Sequence, residues 1–207
     1  CKQHHYSIFT SKMSWRYNIY SESLGGMLTW PGEYFTNPEA RKAYKNRLRY
    51  TVARWGYSPN VLAWELWGEV ALVEGYDPRA AARWHHEMGA YLNQIDPWRH
   101  MVFTVCHIAS FGGAQLWNVP EVQCVQTNGY IRYPNAGPDH VLNFNNFIAE
   151  FQHYRKLLFI SEYGSRAEDG NNSPDNVEAQ LHSGLWASFV TPLSGAAGHW
   201  WWNYIDG

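Results

Sequence analysis

Little of this sequence is given to charge, to sulfur or to long apolar runs. Asp, Glu, Lys and Arg make up 16% of its 207 residues and the net charge is −2. That balance argues against a nucleic-acid surface. The one basic run, Arg41, Lys42, Lys45, Arg47 and Arg49, reads as the solvated face of a helix. Three cysteines, Cys1, Cys106 and Cys124, have no metal-binding spacing, and their odd number leaves at least one unpaired. Cys106 and Cys124 sit in apolar runs and read as buried thiols. No apolar stretch has membrane-spanning length, so no membrane partner is expected. His85, His86 and Glu87 do not fit the His-Glu-x-x-His zinc spacing, so neither a metal nor another cofactor is expected. The chain opens on Cys-Lys-Gln-His-His with neither Met nor signal peptide, which reads as a piece of a longer protein.

What the sequence does have is aromatic rings: 12 Trp and 14 Tyr. A core does not need that many, because Leu and Val fill space with no N–H or O–H to satisfy. Flat rings with polar edges suit stacking on sugars, although a Trp-rich core accounts for part of them. Residues 1–36 read as an irregular, aromatic opening. From there helix-like and strand-like segments alternate. Asn37-Pro38-Glu39 is a helix start, with Asn as cap and Pro in the first turn, and Gly56 and Pro59 end that helix. A buried strand follows from Val61 to Trp67. Asp77-Pro78 opens a second helix and Asp96-Pro97 closes it. Further strands are expected at Met101–Cys106, Val122–Thr127, Leu157–Ser161 and Ala196–Trp202. One helix carries Phe144, Phe147, Ile148 and Phe151, and another runs from Pro174 to Val190 with Leu181, Leu185 and Phe189 inward.

Buried strands separated by amphipathic helices imply βα units and a parallel sheet. Long polar stretches follow the strands at 68–77, 107–120, 128–140 and 163–176, where a (β/α)8 TIM barrel builds its active site. A full barrel takes about 250 residues. The fold class expected is therefore α/β, a partial TIM barrel lacking about its first three strands, with 1–207 as one domain. Open strand edges and half an exposed core predict that the isolated chain aggregates.

Two of these strands end in a glutamate followed by a loop, in Trp64-Glu65-Leu66-Trp67-Gly68-Glu69 and in Ile160-Ser161-Glu162-Tyr163-Gly164. A carboxylate at the C-terminal end of a barrel strand stands where this architecture does chemistry. Glycoside hydrolysis needs two such groups: one protonates the leaving oxygen, and the other attacks the anomeric carbon or activates water. Surface salt bridges are the bland alternative for either glutamate. Glu65 shares strand parity with Glu69, which would bury it and require a partner such as Arg54. Ser161 lacks the glycine-flanked elbow of serine hydrolases.

The chain resembles the clan A glycoside hydrolases, most closely the cellulase- and mannanase-type enzymes of glycoside hydrolase family 5. Ala53-Arg54-Trp55-Gly56 and Trp64-Glu65-Leu66 through Glu69 resemble their fourth-strand region, Ile160-Ser161-Glu162-Tyr163-Gly164 their seventh-strand nucleophile, and Gly198-His199-Trp200-Trp201-Trp202 their eighth strand. The resemblance implies that Glu69 is the general acid/base and Glu162 the nucleophile. It also implies sugar-site roles for Tyr130, Asn128, Trp200 and Trp202, with Tyr130 touching Glu162. Trp67 is a further candidate for the sugar site, and His107, near a predicted strand end, reads equally as sugar-site lining or as a satisfied core histidine. Two departures stand out. Gly68 replaces the family's Asn, whose side chain holds the sugar 2-hydroxyl, and Asn128 stands where relatives often carry His.

The expectation is a retaining glycosidase of β-linked glycans, with an oligo- or polysaccharide as its partner, secreted or periplasmic in its full-length form. A carbohydrate-binding barrel that has lost turnover is the alternative, and a transglycosylase with the same glutamates is a third. Sugar, linkage, endo or exo action and oligomeric state are not legible.

Overall fold

The computed structural model describes residues 15–106, 113–131, 140–165 and 174–200. The chain divides into two compact units, Cys1–Gln123 and Cys124–Gly207.

The first unit alternates helix and strand: α1 (Pro38–Trp55), β1 (Ala63–Glu65), α2 (Pro78–Ile95), β2 (Met101–Phe103) and the short α3 (Gly113–Trp117). Both long helices start as the sequence dictates. Asn37 Oδ1 accepts from the amides of Glu39 and Ala40, and Asp77 Oδ1 from those of Arg79 and Ala80. Each cap satisfies two amides that a helix start leaves without a partner. β1 and β2 pair in parallel, Ala63 with Met101 and Glu65 with Phe103. The pairing continues beyond the regular strands, because Leu66 N donates to Phe103 O and Val105 N to Trp67 O, both at 2.9 Å.

The core of this unit is a ring cluster around Tyr34, which is 2% exposed. Its ring lies 5.0 Å from that of Tyr20, 5.1 Å from Trp67, 5.9 Å from Trp84 and 6.0 Å from Tyr44. Edge-on and tilted contacts of this kind match the positive rim of one ring to the negative face of the next. Tyr44, in α1, donates its hydroxyl to Leu66 O at 2.8 Å and so pins the helix to the strand segment. Much of the aromatic excess is therefore core. The basic run does more than face water: Arg41 and Lys45 both reach Glu87 on α2, at 3.0 and 2.7 Å. Asp96, past the end of α2, accepts from Trp64 Nε1 and His100 Nδ1 at 2.8 Å. Burial pushes its pKa up, but these donors outweigh burial and hold the carboxyl below its usual range.

The second unit contains β3 (Cys124–Ile131), α4 (His140–Phe151), β4 (Leu157–Ser165) and α5 (Pro174–Val190). β3 and β4 are parallel, Cys124 opposite Leu157. α4 buries Phe144, Phe147, Ile148 and Phe151, the residues its periodicity selects. The segment after α5 runs beside β4, with a parallel bridge between Tyr163 and His199. Trp201 and Trp202 lie outside the described residues.

Two sequence expectations are corrected. Leu185 and Phe189 on α5 face outward, 44% and 81% exposed, while Val177, Gln180, Gly184, Ala187 and Ser188 form the packed face. Small residues allow closer approach to β4 than Leu and Phe would. Glu65 is exposed, so no buried partner is required of Arg54.

His85, fully buried on α2, reports on the first unit's stability. A carbonyl can only accept, so Nδ1 carries the proton and donates to Ala81 O at 2.7 Å, while Nε2 meets Thr104 Oγ1 at 2.9 Å. Burial pushes its pKa down from 6.5 to about 4. The neutral form is thus the folded form, and the unfolded chain takes up a proton first as pH falls. Stability is full above pH 6.5 and declines toward pH 4, with His85 contributing about 3 kcal/mol of the loss. Urea midpoints measured from pH 7.5 to 4 should fall in that window, and less steeply in His85→Leu. Parallel curves for the two proteins would contradict this.

Candidate active site

Each unit holds one of the two glutamates, Glu69 beyond the C-terminal end of β1 and Glu162 within the C-terminal half of β4. In the first unit, the segment beyond β1 stays paired to the segment beyond β2 as far as Val70, whose amide donates to Val105 O at 3.1 Å. Glu69 stands immediately before that anchor. Its backbone is left-handed, φ 52° and ψ 49°, and it heads the 3-10 turn Val70–Leu72. A non-glycine residue in this region costs roughly 1 kcal/mol, because Cβ crowds the backbone. Such strain is tolerated where the surroundings impose it, often at functional sites. Gly68 before it is exposed, and a Cβ added there would meet only Glu65 Oε1, at 3.6 Å, an ordinary contact.

In the second unit, the geometry around Glu162 follows from one irregularity in β4. Thr127 pairs with Ile160, but the next residue, Asn128, pairs with Glu162, so Ser161 is an extra residue on β4. Such a bulge changes which face the following side chains take. Ile160 lies against the Gly129 backbone and near the Asn143 amide of α4. Tyr163, three residues on, faces the helices as well. It is fully buried, its ring 4.9 Å from His140 and 5.7 Å from Phe144, and its hydroxyl donates to Leu181 O at 3.0 Å. Regular alternation would have put Glu162 on that helix-covered face. The bulge turns it to the other side, onto Asn128 and Tyr130.

There, two donors converge on one carboxylate oxygen. Tyr130 Oη donates to Glu162 Oε2 at 2.7 Å and Asn128 Nδ2 donates to the same atom at 3.1 Å. Bonds to an ionised acceptor are short and strong, and they hold the carboxylate in one rotamer. The contact expected between Tyr130 and Glu162 is thus present. Ser161, considered in the sequence only as a nucleophile and set aside, donates to Asn128 Oδ1 at 2.8 Å. No sequence signal pointed to it, because the bulge that brings it there depends on register. His199 stacks edge-on to Tyr163 at 4.9 Å, and burial lowers its pKa. Trp200, 39% exposed, donates its backbone amide to Tyr163 O at 3.0 Å.

Glu162, Asn128, Tyr130 and Trp200 thus gather along β3, β4 and the segment after α5. Glu69 and Trp67 belong to the first unit. Trp67 corrects an expectation: it is 8% exposed, packed against Tyr34, Phe35 and Trp84, and serves the core. A buried ring between helices cannot present a face to sugar. His107 and Trp202 lie outside the described residues. Among the described residues no group of His, Cys, Asp and Glu is placed to hold a metal ion.

The chain shares the fold of TIM-barrel glycoside hydrolases: an endo-1,4-β-D-mannanase of Thermotoga petrophila matches over 87% of this chain and 58% of its own, with a TM-score of 0.62 at 16% identity. Sequence narrows the neighbourhood. Mannan endo-1,4-beta-mannosidase F of Aspergillus fumigatus is 33% identical over 87 residues, 42% of this chain and 19% of its own. Mannan endo-1,4-beta-mannosidase 1 of rice, Oryza sativa, is 29% identical over 119 residues, 54% of this chain and 26% of its own. The matched segment thus spans about a quarter or less of the length of these curated relatives. No family model matches the chain. By sequence and fold the chain is similar to cellulase- and mannanase-like enzymes of clan A.

Gly184 on α5 offers a check on this geometry. A Cβ there would fall 2.1 Å from Cε2 of Tyr163. Gly184→Ala should therefore force apart α5 and the residue following Glu162, costing about 2 kcal/mol or more. A denaturant midpoint equal to that of the unsubstituted protein would contradict the placement of Tyr163.

Proposed function

We propose that the protein hydrolyses β-1,4-linked mannan-type polysaccharide with retention of anomeric configuration. Glu162 is the nucleophile and Glu69 the acid/base. The observation that carries this reading is the pair of donors fixed on Glu162 Oε2 at the C-terminal side of a parallel strand. Two donors on one oxygen fix the direction in which the other oxygen of the carboxylate can act. The activity for which the mannan endo-1,4-beta-mannosidases are named supplies the substrate class.

In the first step a Glu162 oxygen attacks the anomeric carbon as its bond to the leaving oxygen breaks, and Glu69 gives that oxygen its proton. The product is a glycosyl ester on Glu162. In the second step Glu69 takes a proton from water, the water oxygen bonds to the anomeric carbon, and the ester bond breaks. Tyr130 and Asn128 hold the nucleophile in line, and Trp200 offers a ring for stacking. The reading requires the two carboxyl groups about 5–5.5 Å apart in the assembled barrel. The described strands are then the barrel's fourth and later ones. A polymer that cannot enter a cell is met outside it, so the protein works as a secreted or periplasmic enzyme.

Release of reducing ends from β-1,4-mannan tests the proposal. Glu162→Ala should lower the rate about 10^4-fold or more, with the fold intact. A rate that survives would overturn it. Gly68 favours the second reading, a carbohydrate-binding barrel without turnover, because glycine has no side chain for the sugar 2-hydroxyl. Saturable mannan binding with no products would establish that reading.

Space at Gly68 allows a further prediction. The ordinary Cβ contact means that a side chain can start from residue 68 without moving backbone. The substitution that uses this space is Gly68→Asn. Restoring a donor to the 2-hydroxyl should raise kcat/KM about tenfold, since such contacts strengthen in the transition state. An unchanged or lower value would mean that another group already holds that hydroxyl.

A further inference from the structure

We infer that Ser161 is a positioning residue for the nucleophile, acting through the side-chain amide of Asn128. The inference rests on the proposed role of Glu162. Ser161 is 9% exposed and is the bulge residue itself, so its hydroxyl is brought beside β3 by the irregularity that also turns Glu162. Its Oγ lies 2.8 Å from Asn128 Oδ1 and 3.2 Å from Thr127 O. A hydroxyl has one proton, and the shorter, side-chain contact takes it.

An asparagine amide can occupy the same space in two orientations, and the bonds at its two ends decide between them. Here Oδ1 receives the Ser161 proton and Nδ2 faces Glu162 Oε2 at 3.1 Å. The opposite orientation would set an amide oxygen against a carboxylate oxygen. The Ser161 hydroxyl therefore closes a relay: Ser161 O–H to Asn128 Oδ1, then Asn128 N–H to Glu162. A histidine ring in this place would have its donor set by tautomer. An amide needs its far end fixed instead, and Ser161 supplies that. Removing the hydroxyl takes this donor from Asn128 Oδ1 and loosens the hold on the amide's orientation. The nucleophile then keeps Tyr130 and loses a fixed second donor.

The test compares the unsubstituted protein with Ser161→Ala and Ser161→Thr, each first shown to have an unchanged melting temperature. On β-1,4-mannan, Ser161→Ala should lower kcat about tenfold with KM within about twofold, because the bond acts on the attacking group and not on substrate binding. Ser161→Thr, which keeps the hydroxyl, should recover most of the loss. Independently of activity, the Asn128 side-chain NH2 resonances, assigned through Asn128→Gln, should be resolved and slow to exchange in the unsubstituted protein and the Thr variant. In the Ala variant they should broaden. Unchanged Asn128 resonances in Ser161→Ala, or a kcat loss that Thr does not restore, would overturn the inference. Absence of mannan turnover in the unsubstituted protein would instead sink the functional reading, and the amide resonances alone would then decide what Ser161 does.

Discussion

The second unit depends on one extra residue in β4. A strand has a side-chain period of two, so a single insertion reverses the face of everything beyond it. Here Ile160 and Tyr163 both pack on the helix side although they are three residues apart, and only the bulge at Ser161 makes that possible. Tyr163 fills the space left by Gly184, and its backbone holds Gly198 and Trp200 alongside. Glu162 is thereby turned to the opposite side, onto Asn128 and Tyr130. Core packing on one face thus determines the orientation of a carboxylate on the other.

The first unit reaches a comparable result by a different route. Its glutamate is held by backbone rather than by alternation. The Trp67 ring and the Val70 amide are both anchored, one in the ring cluster around Tyr34 and the other to Val105 O. Two exposed or half-buried residues, Gly68 and Glu69, must span the interval, and Glu69 takes up a left-handed backbone to do so. A glycine at 69 would relieve that strain. A glutamate there keeps the strain, in the same backbone region that Arg99 and Arg155 occupy elsewhere in the chain.

Much of this was legible in the sequence, and the limits have physical causes. Asn37-Pro38 and Asp77-Pro78 announce helix starts because cap chemistry is local, and both helices begin there. Four of the five expected strands appear where apolar runs sit between turns, while the segment from Ala196 makes only a single bridge at His199 among the described residues. Glu69 follows β1 and Glu162 lies within β4. Helix faces fared unevenly. α4 turns in the side its large apolar residues mark, whereas α5 packs through Gly184, Ala187 and Ser188 and leaves Phe189 outside. Periodicity of large residues misleads where close approach to a strand selects small ones. Trp67 is a sugar-site candidate in the sequence, but in the structure it packs into the ring cluster. The Ser161–Asn128 bond is not written locally at all. It arises from register between strands more than 30 residues apart.

The claim that Glu162 is the nucleophile of a retaining reaction is tested most directly by trapping. A 2-deoxy-2-fluoro mannoside with a good leaving group slows both steps, and slows breakdown of the glycosyl-enzyme most. The account predicts one added fluorosugar per chain, mapped by peptide mass spectrometry to the segment containing Glu162 and absent from Glu162→Ala. No adduct, together with products of inverted configuration, would contradict it, as would an adduct on any other carboxylate.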